Sequence, residues 1–417
     1  MRQRSYILCF LLILICFANS VPVIAGTPDK NPVFPQTQGK AVLLMDAHSG
    51  RVLYEINAHQ RLSPASVTKI MTGLLVVEDG ELNRLVKVSE KAATTPESAV
   101  WLEAGEKLTR AQLLYALMLN SANDASVALA ESIAGSEQAF VDLMNQRAQE
   151  LGMKDTHFCN PHGLEASGHY TSAYDLALLS REAMKYEVFR QVVATKTYHI
   201  PWADNDYGRL LINKNRLLWR YDDAIGIKTG YTKQAGNCAV GAAKRGSLTL
   251  IAVSMNSPSV YPDLQAMFDY GFSSYSLHTI KEAKQLSVKV PVLNGQEKTV
   301  LANPETDIKV AVTPQEVSQL SYTVHIDDVI TAPVFEGQAV GVCQVYVEGT
   351  EVSRFELLAG SPVAEKPPFL SRLLAVVVRV MQFLFLSLLA VFCLLYLIRI
   401  INLKRRNRKR RLYRASR

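Results

Sequence analysis

Pro64-Ala65-Ser66-Val67-Thr68-Lys69-Ile70-Met71-Thr72 contains the only S-x-x-K pattern in the chain. Apolar residues at Ile70, Met71, Leu74 and Leu75 predict a helix over 66–79, with Ser66 at its N-terminus and Lys69 one turn later on the same face. A serine hydroxyl needs a base to become a nucleophile. An amine one turn away can serve once burial and nearby cations lower its pKa. The helix N-terminus also favours negative charge on the oxygen. A capping serine is the competing reading, and four residues alone do not separate the two.

Two further patterns lie downstream. Ser121-Ala122-Asn123 falls in a turn between helices predicted over 110–119 and 125–134. There Ser121 could relay a proton, and the Asn123 amide could hold a substrate carbonyl and the Lys69 head. Taken singly, each reads as turn capping. Lys228-Thr229-Gly230, the only K-[ST]-G, follows Ile225-Gly226-Ile227 and so belongs to a strand. Lys228 and Thr229 suit a substrate carboxylate, and Gly230 leaves room for a substrate backbone. An extended peptide can pair with such an edge. The order of helix start, inter-helix turn and strand matches the S-x-x-K, S-D-N and K-T-G set of penicillin-binding proteins and class A β-lactamases.

Strands predicted at 41–45, 51–54, 226–229, 237–243 and 248–255 flank a helical middle, with further helices at 137–151 and 172–185. This arrangement is α+β, with N- and C-terminal strands in one sheet. We place that catalytic domain at 40–277. From 281 to 360 the pattern changes to short alternating runs such as Ile308-Val310-Val312 and Tyr322-Val324-Ile326, which predict a small all-β sandwich without a catalytic cluster.

Both ends are apolar. Arg2 and Arg4, the apolar run 7–17 and the small residues up to Ala25 predict a signal peptide over 1–25. A flexible lead-in at 26–39 follows it. After a Pro-rich linker at 361–372, residues 373–400 predict a membrane helix; its uninterrupted apolar part, Phe383–Ile398, is slightly short of the ~20 residues that a span needs and reaches that length with Val380, Met381 and Gln382. A basic tail, 401–417, comes last. Arg399 and the nine Lys/Arg from Lys404 to Arg417 place the tail on the cytoplasmic side and the body outside. The net charge of +7 is therefore a property of the tail, which suits anionic lipid heads. The acidic body gives no support for nucleic-acid binding. Cys159, Cys238 and Cys343, widely spaced, match neither a disulfide framework nor a zinc site and read as buried apolar residues.

The sequence resembles the D-alanyl-D-alanine carboxypeptidases, the low-molecular-mass penicillin-binding proteins of serine peptidase family S11. The resemblance covers about residues 36–275. Beyond the three motifs it rests on His162-Gly163-Leu164, His169-Tyr170-Thr171-Ser172-Ala173, Asn213-Lys214-Asn215, Leu217-Leu218-Trp219 and Gly226 through Thr232. It implies a β-lactamase/DD-peptidase-like fold. It also implies that Ser66 forms an acyl-enzyme with a stem peptide of peptidoglycan and releases the terminal D-alanine. Lys69 would be the base and Ser121 would assist proton transfer. Asn123, Lys228, Thr229 and Gly230 would meet the substrate, and the N–H groups of Ser66 and Tyr231 would form the oxyanion hole. No metal or organic cofactor is implied, and β-lactam antibiotics are the implied inhibitors. Some relatives carry His where Tyr231 stands, and many end in an amphipathic anchor rather than a span.

Three rivals remain. A class A β-lactamase needs a glutamate for deacylation downstream of the S-x-N motif. Here Glu81-Leu82-Asn83 lies upstream of Ser121. A DD-endopeptidase would use the same residues, and an idle wall-binding protein would not need all of them. A Ser–His reading through His162 or His169 is weaker, because the Asn-Pro-His-Gly turn explains His162 and the family uses lysine.

Overall fold

The computed structural model describes residues 34–202, 205–326 and 329–415. The expected signal peptide over 1–25 and the first part of the lead-in lie outside these residues. The described residues fall into two compact units: one runs up to Lys281 and adds Ile308–Tyr322 and Gln344–Arg354, and the other comprises Glu282–Asp307, the described part of 323–343, and the chain from Phe355 onward.

The first unit is organised on a five-stranded antiparallel sheet. Its strands are β1 (Ala41–Asp46), β2 (Val52–Ile56), β5 (Ala224–Thr232), β6 (Gly236–Arg245) and β7 (Leu248–Ser257); β3 (Thr197–Trp202) and β4 (Asn205–Ile212) form a separate hairpin. The sheet order is β2-β1-β7-β6-β5, so the first and last parts of the unit share one sheet as expected. β5 is an edge strand.

Strand residues alternate between two apolar layers. Leu43, Met45, Ile251 and Val253 face one core, while Val42, Leu44, Leu250 and Ala252 face the other. The second core contains Leu264, Met267 and Phe268 of helix α7 (Val260–Ser274). The first contains the helical cluster: α1 (Lys69–Asp79), α2 (Arg110–Leu119), α3 (Asn123–Ala134), α4 (Glu137–Glu150), α5 (Ala173–Ala183) and α6 (Glu187–Ala194). α1 is buried on nearly every side, from Lys69 through Leu74 to Val77, so it forms the centre of that layer. It stops at Gly80, whose φ of 77° and N–H to Val76 O give a left-handed cap. Helix α7, helix α6 and the β3–β4 hairpin are elements that the sequence patterns did not single out.

Beyond the five-stranded sheet lie a six-stranded sheet (Leu320–Ile326, Ala339–Val347, Thr350–Ala359, Thr299–Pro304, Val288–Leu293 and Ile330–Thr331, in spatial order) and, within the first unit, a pair formed by Ser276–Lys281 and Ile308–Val312. The alternating runs at 308–312, 322–326 and 340–347 fall in strands, while in the run 286–290 the strand begins only at Val288 and Leu286 closes a 3-10 turn.

Helix α8 spans Phe369–Ala415 and is long and apolar enough to cross a membrane. It begins directly after Pro367-Pro368 and continues through the basic segment, longer than the expected 373–400. Proline suits a helix start, and Leu, Arg and Lys are strong helix formers with no breaker among them. Cys238 and Cys343 are buried, as expected, and Cys159 is half-exposed; all three are free thiols.

Candidate active site

The S-x-x-K segment folds more tightly than expected. Ala65–Thr68 form one 3-10 turn, and α1 begins only at Lys69. Ser66 therefore sits inside that turn and is not an N-cap; no side chain caps α1. Ala65 at φ 51° occupies the left-handed region, a strained position for a residue with a Cβ. Several groups hold the turn. Thr68 Oγ1 donates to Ala65 O at 2.9 Å and lies 2.9 Å from His169 Nε2. The Cys159 N–H donates to His169 Nδ1 at 2.9 Å, so the neutral ring carries its proton on Nε2 and donates it to Thr68. Burial pushes His169 down to about 4, which keeps it neutral. Gly163, at φ 89°, presses on the turn from outside: a Cβ there would come 2.0 Å from Ala65 O.

Lys69 is fully buried, and its Nζ meets three oxygens. Ser66 Oγ is 3.1 Å away, Asn123 Oδ1 2.8 Å and His162 O 2.5 Å. Asn123 Nδ2 donates to Pro96 O at 2.8 Å, which fixes the orientation of the amide. Burial drives the Lys69 ammonium well below its usual range, and the charges of Lys228 and Lys214 push the same way. Asn123 opens α3 instead of lying in the turn before it, and its N–H donates to Ser98 O at 2.6 Å.

Ser121 stands just before α3 at φ 60°, nearly buried, and its Oγ has no protein partner among the described residues. On the opposite side, Lys228 is 2% exposed and its Nζ donates to Thr229 O at 2.8 Å. Burial pushes Lys228 down to about 7, and Lys214 adds to the effect. The Tyr231 side chain is exposed.

Gly230 has a use beyond the expected one. A Cβ there would lie 2.6 Å from Ser66 N and 3.0 Å from Val67 N. The missing side chain lets β5 close on the serine's own main chain, whereas the sequence reading had reserved that space for substrate.

Three contributions escaped the sequence reading. The first is the main-chain oxygen of His162. Its ring is occupied elsewhere: Nδ1 accepts from Leu164 N at 3.2 Å, and Nε2 lies 3.6 Å from Glu137 Oε1. Neither His162 nor His169 hydrogen-bonds Ser66, which removes the Ser–His alternative. The second is Lys214, whose side chain is exposed but whose ammonium is partly desolvated, which lowers its pKa; its Nζ is 3.5 Å from Ser98 Oγ. The third is the 96–102 loop. Asp124 accepts from Val100 N and Leu102 N, and Arg209 donates to Trp101 O and pairs with buried Glu106 at 2.6 Å. A lone lysine and a loop without periodicity give no sequence signal for these roles.

The same chain is matched by two family profiles. Residues 28–259 match the profile described as D-alanyl-D-alanine carboxypeptidase, peptidase S11. The chain belongs to this family. Residues 275–365 match the C-terminal domain of penicillin-binding protein 5. Among curated family members, D-alanyl-D-alanine carboxypeptidase DacF of Bacillus subtilis is 37% identical over 79% of this chain and 85% of its own. DacA of Escherichia coli is 30% identical over 80% of this chain and 86% of its own. The solved structure of penicillin-binding protein 5 from Haemophilus influenzae superposes with a TM-score of 0.64 at 27% identity, covering 80% of this chain and all of that one. The family's fold, a sheet-and-helix body followed by an all-β domain, is the one described above.

Proposed function

We propose that the chain is a serine carboxypeptidase that removes the terminal D-alanine from peptidoglycan stem pentapeptides through an acyl-enzyme on Ser66. The observation that carries this reading is the set of oxygens around Lys69. A neutral amine has two N–H donors and one lone pair. Asn123 Oδ1 and His162 O can only accept, so they take the two N–H groups and turn the lone pair toward Ser66 Oγ. The buried, charge-flanked site favours that neutral form.

Ser66 Oγ then attacks the carbonyl carbon of the penultimate D-alanine as its proton passes to Lys69. The N–H groups of Ser66 and Tyr231 stabilise the oxyanion; one such donor typically contributes ~10²–10³ in rate. The C–N bond breaks and the leaving amine takes up a proton, relayed by Ser121. Lys228 and Thr229, with Lys214 nearby, hold the terminal carboxylate. Water then hydrolyses the ester and regenerates Ser66. A β-lactam acylates the same oxygen and leaves slowly, so it inhibits. Export by the 1–25 signal and a single crossing by α8 would place the body outside and the basic end inside, in agreement with the Lys/Arg bias.

Incubating the detergent-solubilised chain with a pentapeptide ending in D-Ala-D-Ala is expected to release D-alanine, and penicillin is expected to leave a long-lived adduct on Ser66. Rapid penicillin turnover without D-alanine release, or full activity in Ser66→Ala, would overturn the reading.

A further inference from the structure

Between the loop after His162 and the end of β5 opens a cavity of about 590 Å³, with Arg61, Ser63, Glu165, His169, Tyr170 and Gln234 in its wall. Its position follows the direction of β5, which runs from Lys228 and Thr229 through Tyr231 to Thr232, with Gln234 just beyond. On the carboxypeptidase reading above, the terminal carboxylate meets Lys228 and Thr229, and the scissile carbonyl meets the Tyr231 N–H. The upstream residues of the substrate then leave past Tyr231, toward this cavity.

Two opposite charges are fixed in its wall. Arg61 donates from Nε to Asp155 Oδ1 at 3.1 Å and from Nη2 to Lys154 O at 3.2 Å, and lies 5.0 Å from the centroid of the Tyr170 ring. Its side chain remains 54% exposed, and a planar guanidinium with five donors can serve a second carboxylate. Glu165 Oε1 accepts from the Gln234 N–H at 3.0 Å. That bond, with one from the Thr232 hydroxyl, lowers its pKa, so it is ionised near neutrality. A wall with one cation and one anion is complementary to a group that carries both.

Stem peptides carry a diamino acid immediately before D-Ala-D-Ala. A lysine side chain ends in an ammonium alone; a diaminopimelate side chain ends in an ammonium and a carboxylate on one carbon. We propose that this cavity is a subsite for the zwitterionic end of a diaminopimelate-type residue, with Arg61 taking its carboxylate and Glu165 its ammonium.

The test compares three pentapeptides on the full chain in detergent, identical except for meso-diaminopimelate, its side-chain amide or L-lysine at the third position. The diaminopimelate peptide is expected to exceed both others in kcat/KM by about fivefold, the scale of one exposed ion pair, with the difference in KM. Arg61→Gln should erase that advantage. Glu165→Gln should weaken the diaminopimelate and lysine peptides alike. Acylation by penicillin reports whether each variant retains a folded centre. Equal kcat/KM for the three peptides in the unaltered chain overturns the subsite whatever the variants do, and so does an advantage that survives Arg61→Gln. Failure to release D-alanine even from a short N-acyl-D-Ala-D-Ala would instead overturn the carboxypeptidase reading, and the subsite with it.

Discussion

The helical side of the centre and its strand edge each bury a lysine, and they hold it differently. Lys69 on α1 meets three oxygens, two of them carbonyls that other elements fix in place. Lys228 on β5 meets one, the carbonyl of its own neighbour Thr229. Burial lowers both pKa values. Burial alone therefore does not choose the base. The acceptors do, by fixing where a lone pair points, and Lys228 is left to answer an incoming carboxylate.

Replacing Lys69 tests the comparison most severely. Lys69→Gln is expected to lower the rate of Ser66 acylation by about 10⁴, the upper range for losing a positioned base. Stopped-flow acylation by a chromogenic β-lactam measures it. Gly230→Ala comes next. The new methyl has to displace either β5 or the serine turn, and misaligned oxyanion donors should cost about 10²–10³ in kcat/KM, measured by D-alanine release. Lys228→Met should cost less, about 10–10², through a lost charge-assisted contact to the carboxylate.

The last two predictions concern pH. In the free enzyme Lys228 loses its charge as pH rises through about 7, so kcat/KM should fall over that range. A bound carboxylate favours the charged form, so kcat should hold to higher pH. A profile in which the two limbs coincide would put the carboxylate elsewhere. The stability effect has the opposite slope. The folded pKa of Lys228 lies below the unfolded value of about 10.4, so the unfolded chain binds the extra proton between them. The cost of burying the charge is full below about 7 and is relieved as pH rises toward 10. Lys228→Met should thus be more stable than the natural chain at pH 6, by up to roughly 4 kcal/mol less the lost bond to Thr229 O, with the gap closing by pH 10. Thermal unfolding across pH measures this. Lys69→Met should gain less, because it leaves Asn123 Oδ1 and His162 O without their donor.

The contrast also marks what the sequence could disclose. Ser66, Lys69, Asn123 and Lys228 were legible because side-chain chemistry at fixed spacing leaves a pattern. The sheet was legible through strand alternation, and α1 through its apolar period. The His162 carbonyl was not, since every residue has one and only the fold decides where it points. Lys214 carries no signal of its own beyond the Asn213-Lys214-Asn215 resemblance, because a single lysine does not show which charges it will approach. Ser66 was assigned to a helix start because Pro64 and the apolar run suggested one. The left-handed Ala65 turned the chain one residue early and produced the 3-10 turn. Gly230 is legible as a close-approach glycine, but its approach to the protein's own serine turn is decided by the fold and leaves no pattern in the sequence.

That last point bears on how the enzyme can change over time. Where β5 abuts the serine turn, position 230 lies closest to the main-chain nitrogens of Ser66 and Val67, with the Ala65 methyl just beyond them, so the gap is set chiefly by main chain. Nineteen of the twenty residues at position 230 push the strand outward, and none draws it inward. Substitutions at position 230 can therefore drift only toward a wider oxyanion hole, and any narrowing has to come from the serine turn, where the Ala65 methyl borders the gap, or from the chain segments behind it.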